Sequence, residues 1–315
     1  MSIERIVNMR SEHIFPLDVK TIEFFAKKGA DKPVLNNSNG LCVRRIMQLI
    51  HDFSKKPFNQ LRIIDLACGE GVYAIEAALH GAYVKALDAR IERMNEGAKA
   101  AERIGLKNLD FEQNDIRNVN VQSHGKFDIV LFLGILYHLD QRDVFPVLRN
   151  IYEMCQQFVI IDTHIAIQGL VKVKNNGRIY AGKHYREHNN NDPEEIRKSR
   201  LQASLDNPLS FWFTKRSLFR LLNDVGFTSV SECNVPLDPT KPLNRITIIA
   251  YKGERVTISS YPWVNEKSKD EIEQSLVGSM QTLSQKFGTI AWFKHFGKFI
   301  VNRTLHFLGF EIGRI

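Results

Sequence analysis

The feature that most constrains the fold of this chain is an apolar run that ends in an acidic residue and a Gly-x-Gly turn. The segment reads Leu61-Arg62-Ile63-Ile64-Asp65-Leu66-Ala67-Cys68-Gly69-Glu70-Gly71, and helical spacing of apolar residues follows it. This order predicts a strand that enters a tight turn beneath a helix, which is where α/β folds bind nucleotide-like ligands. Gly69 and Gly71 permit backbone conformations and a close approach of ligand that a Cβ atom would obstruct.

The acids around this turn help to choose between two nucleotide-like ligands. Asp88 closes the next apolar run, and an acid there can accept hydrogen bonds from both hydroxyls of an adenosine ribose. A pyrophosphate needs bare backbone N–H groups at a helix N-terminus, whereas Asp65 and Glu70 would repel it. Two acids suit a ligand with an ammonium and a sulfonium group. The sequence therefore favours S-adenosylmethionine over NAD, with organisation of the turn as an alternative role for Asp65.

Further apolar runs at residues 109–116, 127–134 and 157–162 alternate with helical patterns at 72–79, 91–104 and 144–154. This alternation predicts an α/β fold with a doubly wound, mostly parallel sheet and right-handed crossovers. We expect Asp115, which ends the third strand, to meet the adenine amino group. Leu133 and Gly134 end the fourth strand, where backbone can lie close to the methionine part of the cofactor.

At this point the chain resembles the class I S-adenosylmethionine-dependent methyltransferases over roughly residues 40–252. The resemblance is carried by residues 65–71, Asp88, Asn114-Asp115-Ile116 and residues 127–130. It implies the seven-stranded Rossmann-like methyltransferase fold, with a sixth strand at 228–235 and an antiparallel seventh at 245–251. It also implies cofactor contacts from Gly69 and Gly71 to methionine, from Asp88 to ribose, and from Asp115 and Ile116 to adenine.

A finer resemblance is carried by Gly134-Ile135-Leu136-Tyr137-His138-Leu139, which is similar to the G-V-L-Y-H segment of the tRNA wobble-uridine carboxymethyltransferase group and its methyltransferase relatives. Residues 213–214, 218–222 and 225–227 are also similar to that wider group. In those relatives the Tyr-His segment lines the site, which implies that Tyr137 and His138 line it here.

Methyl transfer is an in-line displacement at carbon, for which an enzyme mainly supplies alignment and desolvation. A hydroxyl acceptor also needs a base to take its proton. Candidate bases are His138 and His164, because they follow the fourth and fifth strands at the edge where open α/β sheets keep their sites. Tyr137 is placed to orient the acceptor. For each histidine the alternative is a structural or a surface role, and the chemistry requires no metal.

Residues 164–213 form a long insertion, and connections of that length are usually functional or disordered. The insertion mixes an excess of basic residues with aromatic ones. We predict that it is a substrate lid for a polar or anionic small molecule. The candidate substrate contacts are Tyr180, His184, Tyr185 and Trp212.

Two motifs in this insertion have tempting interpretations. His184-Tyr185-Arg186-Glu187-His188 matches H-x-x-E-H, a zinc-protease pattern, but Arg186 within it disfavours a cation. Asp206-Asn207-Pro208-Leu209 faintly resembles the Asn-Pro-Pro-aromatic motif of DNA amino methyltransferases, which belongs directly after the fourth strand. We therefore predict neither a metal nor a DNA substrate.

The two ends of the chain lie outside the predicted methyltransferase domain, residues 61–252. Residues 1–60 are predicted to form a helical cap, with helices at 19–28 and 41–53 covering the cofactor cleft. The tail, 253–315, is predicted to be helical, and its aromatic and basic end, 290–315, suits either a membrane interface or packing on protein.

Cellular location and partners are predicted from composition. The sequence has no secretory signal and no apolar run of about 18 residues. Its four cysteines are scattered, which is typical of a reduced, cytoplasmic protein, with peripheral membrane contact through the tail as the alternative. A net charge of +8 suggests an acidic partner or simply a basic, solvated surface.

Three functions compete at this level. The first is methyl transfer to a polar small molecule or a carbohydrate, at oxygen. The second is modification of a tRNA wobble uridine, whose carboxylated cofactor needs a cation near the sulfonium that the sequence does not place. The third is a non-catalytic, cofactor-binding scaffold at a membrane or in a complex.

Overall fold

The apolar runs of the sequence form the strands of the structure. A computed structural model describes residues 38–168, 171–189, 191–236 and 241–256 of the chain. The strands are β1 (Arg62–Leu66), β2 (Tyr83–Asp88), β3 (Leu109–Gln113), β4 (Phe127–Leu133), β5 (Cys155–His164), β6 (Val171–Asn175), β7 (Arg178–Arg186), β8 (Leu209–Phe213), β9 (Ser229–Glu232) and β10 (Arg245–Tyr251). The helices are α1 (Ser38–Phe53), α2 (Val72–Leu79), α3 (Ile91–Arg103), α4 (Val121–His124), α5 (Gln141–Met154), α6 (Glu194–Ser199) and α7 (Lys215–Val225).

The main sheet has seven strands in the order β3-β2-β1-β4-β5-β10-β9. Strands β1 to β5 are parallel, and β10 runs antiparallel to both of its neighbours. This is the Rossmann-like methyltransferase fold, so the predicted fold class is confirmed. The predicted seventh strand is confirmed with the same bounds, while the sixth is shorter than predicted.

The core lies on both faces of this sheet because its central strands are buried on both sides. Strand β4 is buried from Phe127 to Phe132, which explains its unbroken apolar character. One core cluster includes residues of α5 and α7, and another includes residues of α1 and α2. Helix α7 begins where the Thr214 side chain accepts a hydrogen bond from the Ser217 N–H, and it ends at Gly226.

The insertion at 164–213 is more ordered than a simple lid. Strands β6, β7 and β8 form a second, antiparallel sheet. Tyr180, Phe211 and Phe213 from this sheet are buried in the same core cluster as α5 and α7. Most of the insertion is therefore a small subdomain that packs on the main sheet.

Helix α1 confirms the second predicted N-terminal helix and begins three residues earlier than predicted. The predicted helix at 19–28 and the predicted tail helix at 290–315 lie outside the described residues. The described residues up to Glu254 belong to one compact unit. In the described part of the chain, no helix has both the length and the apolar composition that a membrane crossing requires.

Candidate active site

A cleft of about 800 Å³ lies at the carboxyl edge of the parallel strands. It is lined by residues at or just after the carboxyl ends of β1, β2, β3 and β4, by Asp162 of β5, and by residues of α1, of 201–207 in the insertion and of 241–245. This is the edge at which open α/β sheets bind ligands, and the volume falls in the usual range for small-molecule sites. The cleft is therefore the candidate active site.

The turn after β1 is tightly enclosed. Gly69 and Gly71 have φ values of +58° and +71°, which L-residues with a side chain rarely adopt. A Cβ atom on Gly71 would lie 2.7 Å from the Phe111 ring, and one on Gly97 of α3 would lie 2.2 Å from the carbonyl oxygen of Glu70. Sequence reasoning missed Gly97, although an isolated glycine inside a helical pattern is a recognised signal of close packing.

Asp88 fastens this turn to β2. Its Oδ2 accepts a hydrogen bond from the Gly69 N–H at 2.8 Å, and its Oδ1 accepts one from the Arg90 N–H at 2.8 Å. The residue is buried, yet it lines the cleft. A carboxylate has about four lone-pair sites, so Asp88 keeps acceptor capacity for the two hydroxyls of a ribose.

Asp65 lies behind the turn and does not line the cleft. Its side chain is buried, and its Oδ2 atom has no hydrogen-bond partner among the described residues. Burial, and then the charge of Asp88, raise the pKa of Asp65 to about 7. The expectation that Asp65 faces the ligand as a full charge is thus corrected, because Glu70 and Asp88 are the acids of this region that line the cleft.

Asp115 and Ile116 follow β3 and line the cleft, as do Leu133 and Gly134 at the end of β4. Both Asp115 oxygens accept hydrogen bonds from Arg117 at 2.6–3.0 Å. Burial acts to raise the pKa of Asp115, but the hydrogen bonds from Arg117 outweigh it, and the pKa is lowered. Any adenine contact at Asp115 must therefore share this carboxylate with Arg117.

Tyr137 and His138 lie in a short 3-10 turn, Leu136–His138, and both line the cleft. The Tyr137 ring packs on His138 and on His164, at centroid distances of 4.3 and 4.7 Å. His164 stacks on Trp212 at 4.9 Å and does not line the cleft. Burial, and then the charge of Arg245, lower the pKa of His164. The structure thus brings the three predicted catalytic residues together, with His164 in the second layer.

Glu187 is a member of the site that sequence reasoning missed. Its Oε1 lies 2.9 Å from Nδ1 of His138, and its Oε2 accepts a hydrogen bond from the Ser204 N–H at 3.1 Å. Burial acts to raise the pKa of Glu187, but hydrogen bonding to His138 outweighs it and lowers the pKa. The available signal was the H-x-x-E-H motif, in which Glu187 is the acid.

The histidines of that motif have other partners. Nε2 of His188 lies 2.9 Å from the Ser204 carbonyl oxygen, and His184 packs edge-on against Phe211. Among the described residues, no group of three or more His, Cys, Asp or Glu side chains could hold a metal ion.

The four aromatic or histidine side chains predicted to contact substrate do not line the cleft. Tyr180 is in the core, where its hydroxyl donates to Asp224 at 2.9 Å. Trp212 donates from Nε1 to the Tyr137 carbonyl oxygen at 2.9 Å, and Tyr185 stacks on the Trp212 ring at 4.5 Å. His184 lines a separate hollow beside α5. The second sheet packs Tyr180 into the core and Tyr185 against Trp212, so neither ring is turned to the cleft.

Residues 201–207 of the insertion cover the cleft instead, and arginines from the cofactor side hold them. Arg90 donates to the carbonyl oxygens of Arg200, Ala203 and Ser204 at 3.1–3.2 Å. Arg117 also donates to Asp206 at 2.8 Å. Arg90 follows Asp88 by two positions, and Arg117 follows Asp115 by two positions. The segments that carry these two predicted cofactor acids therefore also hold residues 201–207 over the cleft.

Comparison with known proteins agrees with this architecture. Residues 63–157 match the family model of a methyltransferase domain. The ubiquinone biosynthesis O-methyltransferase of Maricaulis maris is 30% identical over 93 residues, which are 30% of this chain and 36% of that protein. The protein of the same name from Vibrio atlanticus is 26% identical over 162 residues, which are 50% of this chain and 62% of that protein.

Among solved structures, the N-terminal domain of EvdMO1, crystallised in the presence of SAH and D-fucose, superposes with a TM-score of 0.51. The two chains are 22% identical, and the match covers 65% of this chain and 80% of that domain. Residues 63–157 therefore match a methyltransferase domain, and the sheet around them has the fold of such domains. The chain spans about a third to three fifths of the two curated relatives, whose names indicate O-methyl transfer and not tRNA modification.

Proposed function

We propose that this chain is an S-adenosylmethionine-dependent methyltransferase that methylates a hydroxyl oxygen of a polar small molecule or a carbohydrate. The observation that carries the proposal is the pair formed by His138 and Glu187 at the cleft wall. The imidazole of His138 can accept a proton. His138 comes after β4, which lies two strands from β2 and Asp88 in the sheet. It also follows Gly134, where the donor end of the cofactor is expected.

The pair suits a general base. The ionised Glu187 carboxylate accepts a hydrogen bond from Nδ1, so the neutral imidazole carries its proton on Nδ1. The lone pair of Nε2 is then left to take the hydroxyl proton of the methyl acceptor. As positive charge develops on the imidazole, the buried carboxylate stabilises it. The bound cofactor supplies an activated methyl group, so the chain itself needs to align the acceptor and remove one proton.

Two further features support the proposal. The cleft wall beyond Gly134 is polar, since Tyr137, Asp162 and Arg245 line it, which suits an acceptor with several hydrogen-bonding groups. The relatives from Maricaulis maris and Vibrio atlanticus are named O-methyltransferases, which supports oxygen as the methylated atom.

The test begins with calorimetric titration of S-adenosylmethionine into the full chain. A polar metabolite extract is then incubated with methyl-labelled S-adenosylmethionine and either the wild type, His138→Gln, or the control His51→Gln on the exposed side of α1. We expect binding in all three and labelled product with the wild type and the control only. Failure of the wild type to bind S-adenosylmethionine would sink the proposal, and binding without turnover in any extract would favour the scaffold.

A second candidate, a tRNA wobble-uridine modifying enzyme, is favoured by one observation. The guanidinium of Arg245 lies 5.7 Å from the Tyr137 ring centroid and 3.5 Å from where a Cβ of Gly134 would be. A cation beside Gly134 would suit a carboxylated cofactor, which needs a positive charge near its sulfonium. Tighter binding of the carboxylated cofactor than of S-adenosylmethionine, with tRNA binding that weakens steeply between about 50 and about 200 mM salt, would favour this candidate over the first.

A further inference from the structure

Three cationic side chains meet at the end of the cleft beside β5 and β10. Arg245 donates from Nε to Oδ1 of Asp162 at 2.5 Å, and Lys241 donates from Nζ to Oδ2 of the same carboxylate at 2.6 Å. Arg45 of α1 reaches the same place, where it donates to the carbonyl oxygens of Pro236 and Cys233. All four of these charged side chains line the cleft.

The charges of this cluster do not balance. Among the described residues, Asp162 is the carboxylate that contacts Lys241 and Arg245, while Arg45 donates to neutral groups: two carbonyl oxygens and the Thr247 hydroxyl. Within the part of the chain that the structure describes, three positive charges thus share one negative charge. Arg45 is only 3% exposed, and buried charge without a counter-ion is costly. An anionic ligand would relieve that cost.

The position of the cluster separates it from the cofactor acids. Gly69, Asp88 and Asp115 lie at the carboxyl ends of β1, β2 and β3, whereas Asp162 and Arg245 lie beyond β4, on β5 and β10. Because β10 is antiparallel, its first residue, Arg245, pairs with His164 at the end of β5. Neighbouring strands are about 4.8 Å apart, so Asp162 lies about three spacings from Asp88. The cluster therefore adjoins Tyr137 and the acceptor side of the cleft.

We propose that Arg245 and Lys241, with Arg45 behind them, form a subsite for an anionic group, a carboxylate or a phosphate, on the methyl acceptor. This assignment rests on the proposed methyltransferase function and narrows its substrate to anionic molecules. The methionine carboxylate of the cofactor is also an anionic group. The strand order, which separates the cluster from Asp88, favours the methyl acceptor as the molecule that carries the bound anion. Neutral acceptors would leave the excess charge uncompensated and bind less well.

The experiment titrates inorganic phosphate by calorimetry into the full chain saturated with S-adenosylhomocysteine. We expect phosphate to bind without displacing S-adenosylhomocysteine. Its affinity should fall about tenfold or more in Arg245→Gln, because a hydrogen bond to a charged group is lost. Arg149→Gln, on the exposed side of α5, is the charge-matched control and should bind phosphate like the wild type.

Lys241→Gln gives the same comparison if Arg245→Gln does not fold, as judged by its thermal unfolding. Equal phosphate affinity in all variants would overturn the subsite. A second result would also overturn it: phosphate that competes with S-adenosylhomocysteine but not with methylthioadenosine. Methylthioadenosine lacks the methionine carboxylate, so this result would mean that the cationic cluster binds the carboxylate of the cofactor. If S-adenosylhomocysteine does not bind at all, the proposed function fails, and titration of the unliganded variants with phosphate still decides the subsite.

Discussion

Nδ1 of His138 lies 2.9 Å from Oε1 of Glu187, although the two residues come from different layers of the molecule. His138 follows a strand of the main sheet, and Glu187 follows the last residue of β7 in the second sheet. The carboxylate is almost fully buried and also accepts a hydrogen bond from Ser204. Glu187 therefore fixes the imidazole and ties it to the segment that covers the cleft.

Glu187→Gln tests this positioning role. We expect kcat to fall about 10- to 100-fold, which is less than the ~10²–10⁴ that loss of a general base costs. The affinity for S-adenosylhomocysteine should stay unchanged, because Glu187 does not line the cleft. The measurements are kcat with the acceptor found by extract screening and calorimetric binding of S-adenosylhomocysteine. Glu153→Gln, on the exposed side of α5, is the control, and an unchanged kcat in Glu187→Gln would contradict the role.

Asp88→Asn should weaken the binding of S-adenosylhomocysteine about 10- to 100-fold, because a charged acceptor of two backbone hydrogen bonds becomes a neutral amide. Calorimetry measures the affinity directly. Asp110→Asn on β3 removes an acid that pairs with Lys85 outside the cleft, and it should bind like the wild type. Equal affinity of both variants would show that Asp88 does not hold the ribose.

Gly71→Ala should lower the free energy of unfolding and abolish detectable binding of S-adenosylhomocysteine. The new Cβ would meet the Phe111 ring at 2.7 Å, in addition to the left-handed backbone that Gly71 adopts. Gly105→Ala, just after α3, has a similar φ of +74° and open space around its Cβ, so it measures the backbone cost alone, roughly 1–2 kcal/mol. Urea unfolding of both variants separates the two effects, and equal losses would remove the argument from crowding.

Local sequence patterns predicted the main sheet because the apolar pattern of each strand lies within its own residues. The unbroken apolar run of β4 and the bounds of β10 and α2 need no tertiary information. Glu187 could not be found in this way, because its value depends on the second sheet bringing it to His138. Arg90 looks like a solvated charge in the sequence, and only the fold reveals the carbonyl groups that it binds. Tyr180 and Tyr185 lie five positions apart on β7 and so face opposite sides of that strand, which only the fold reveals.

Asp65 should make the stability of the chain fall as pH rises. Its pKa is raised from 3.8 to about 7 in the folded state, so between these values the folded chain holds a proton that the unfolded chain releases. That contribution is present in full below the lower pKa and is lost as pH passes the higher one. Relative to the wild type, Asp65→Asn should gain roughly 3 kcal/mol between about pH 5 and about pH 8. Urea unfolding at both pH values measures this, with Asp110→Asn as control, and a constant difference would contradict a buried, protonated Asp65.

Arg90→Met should loosen the cover of the cleft while the fold persists. Methionine has an unbranched, apolar side chain that replaces the aliphatic part of arginine. The substitution removes three hydrogen bonds to the carbonyl oxygens of residues 200, 203 and 204. Hydrogen exchange at residues 201–207 should become faster, since local opening then costs less free energy, and exchange in β4 should stay unchanged. Arg103→Met, at the end of α3, removes a positive charge from an exposed position and is the matched control. Because the Arg90 N–H bonds to Asp88 through the backbone and survives the change, S-adenosylhomocysteine should still bind. Faster exchange with retained binding would show that the Arg90 side chain holds residues 201–207, while its backbone N–H supports the cofactor site. Unchanged exchange would mean that Arg90 does not hold this segment.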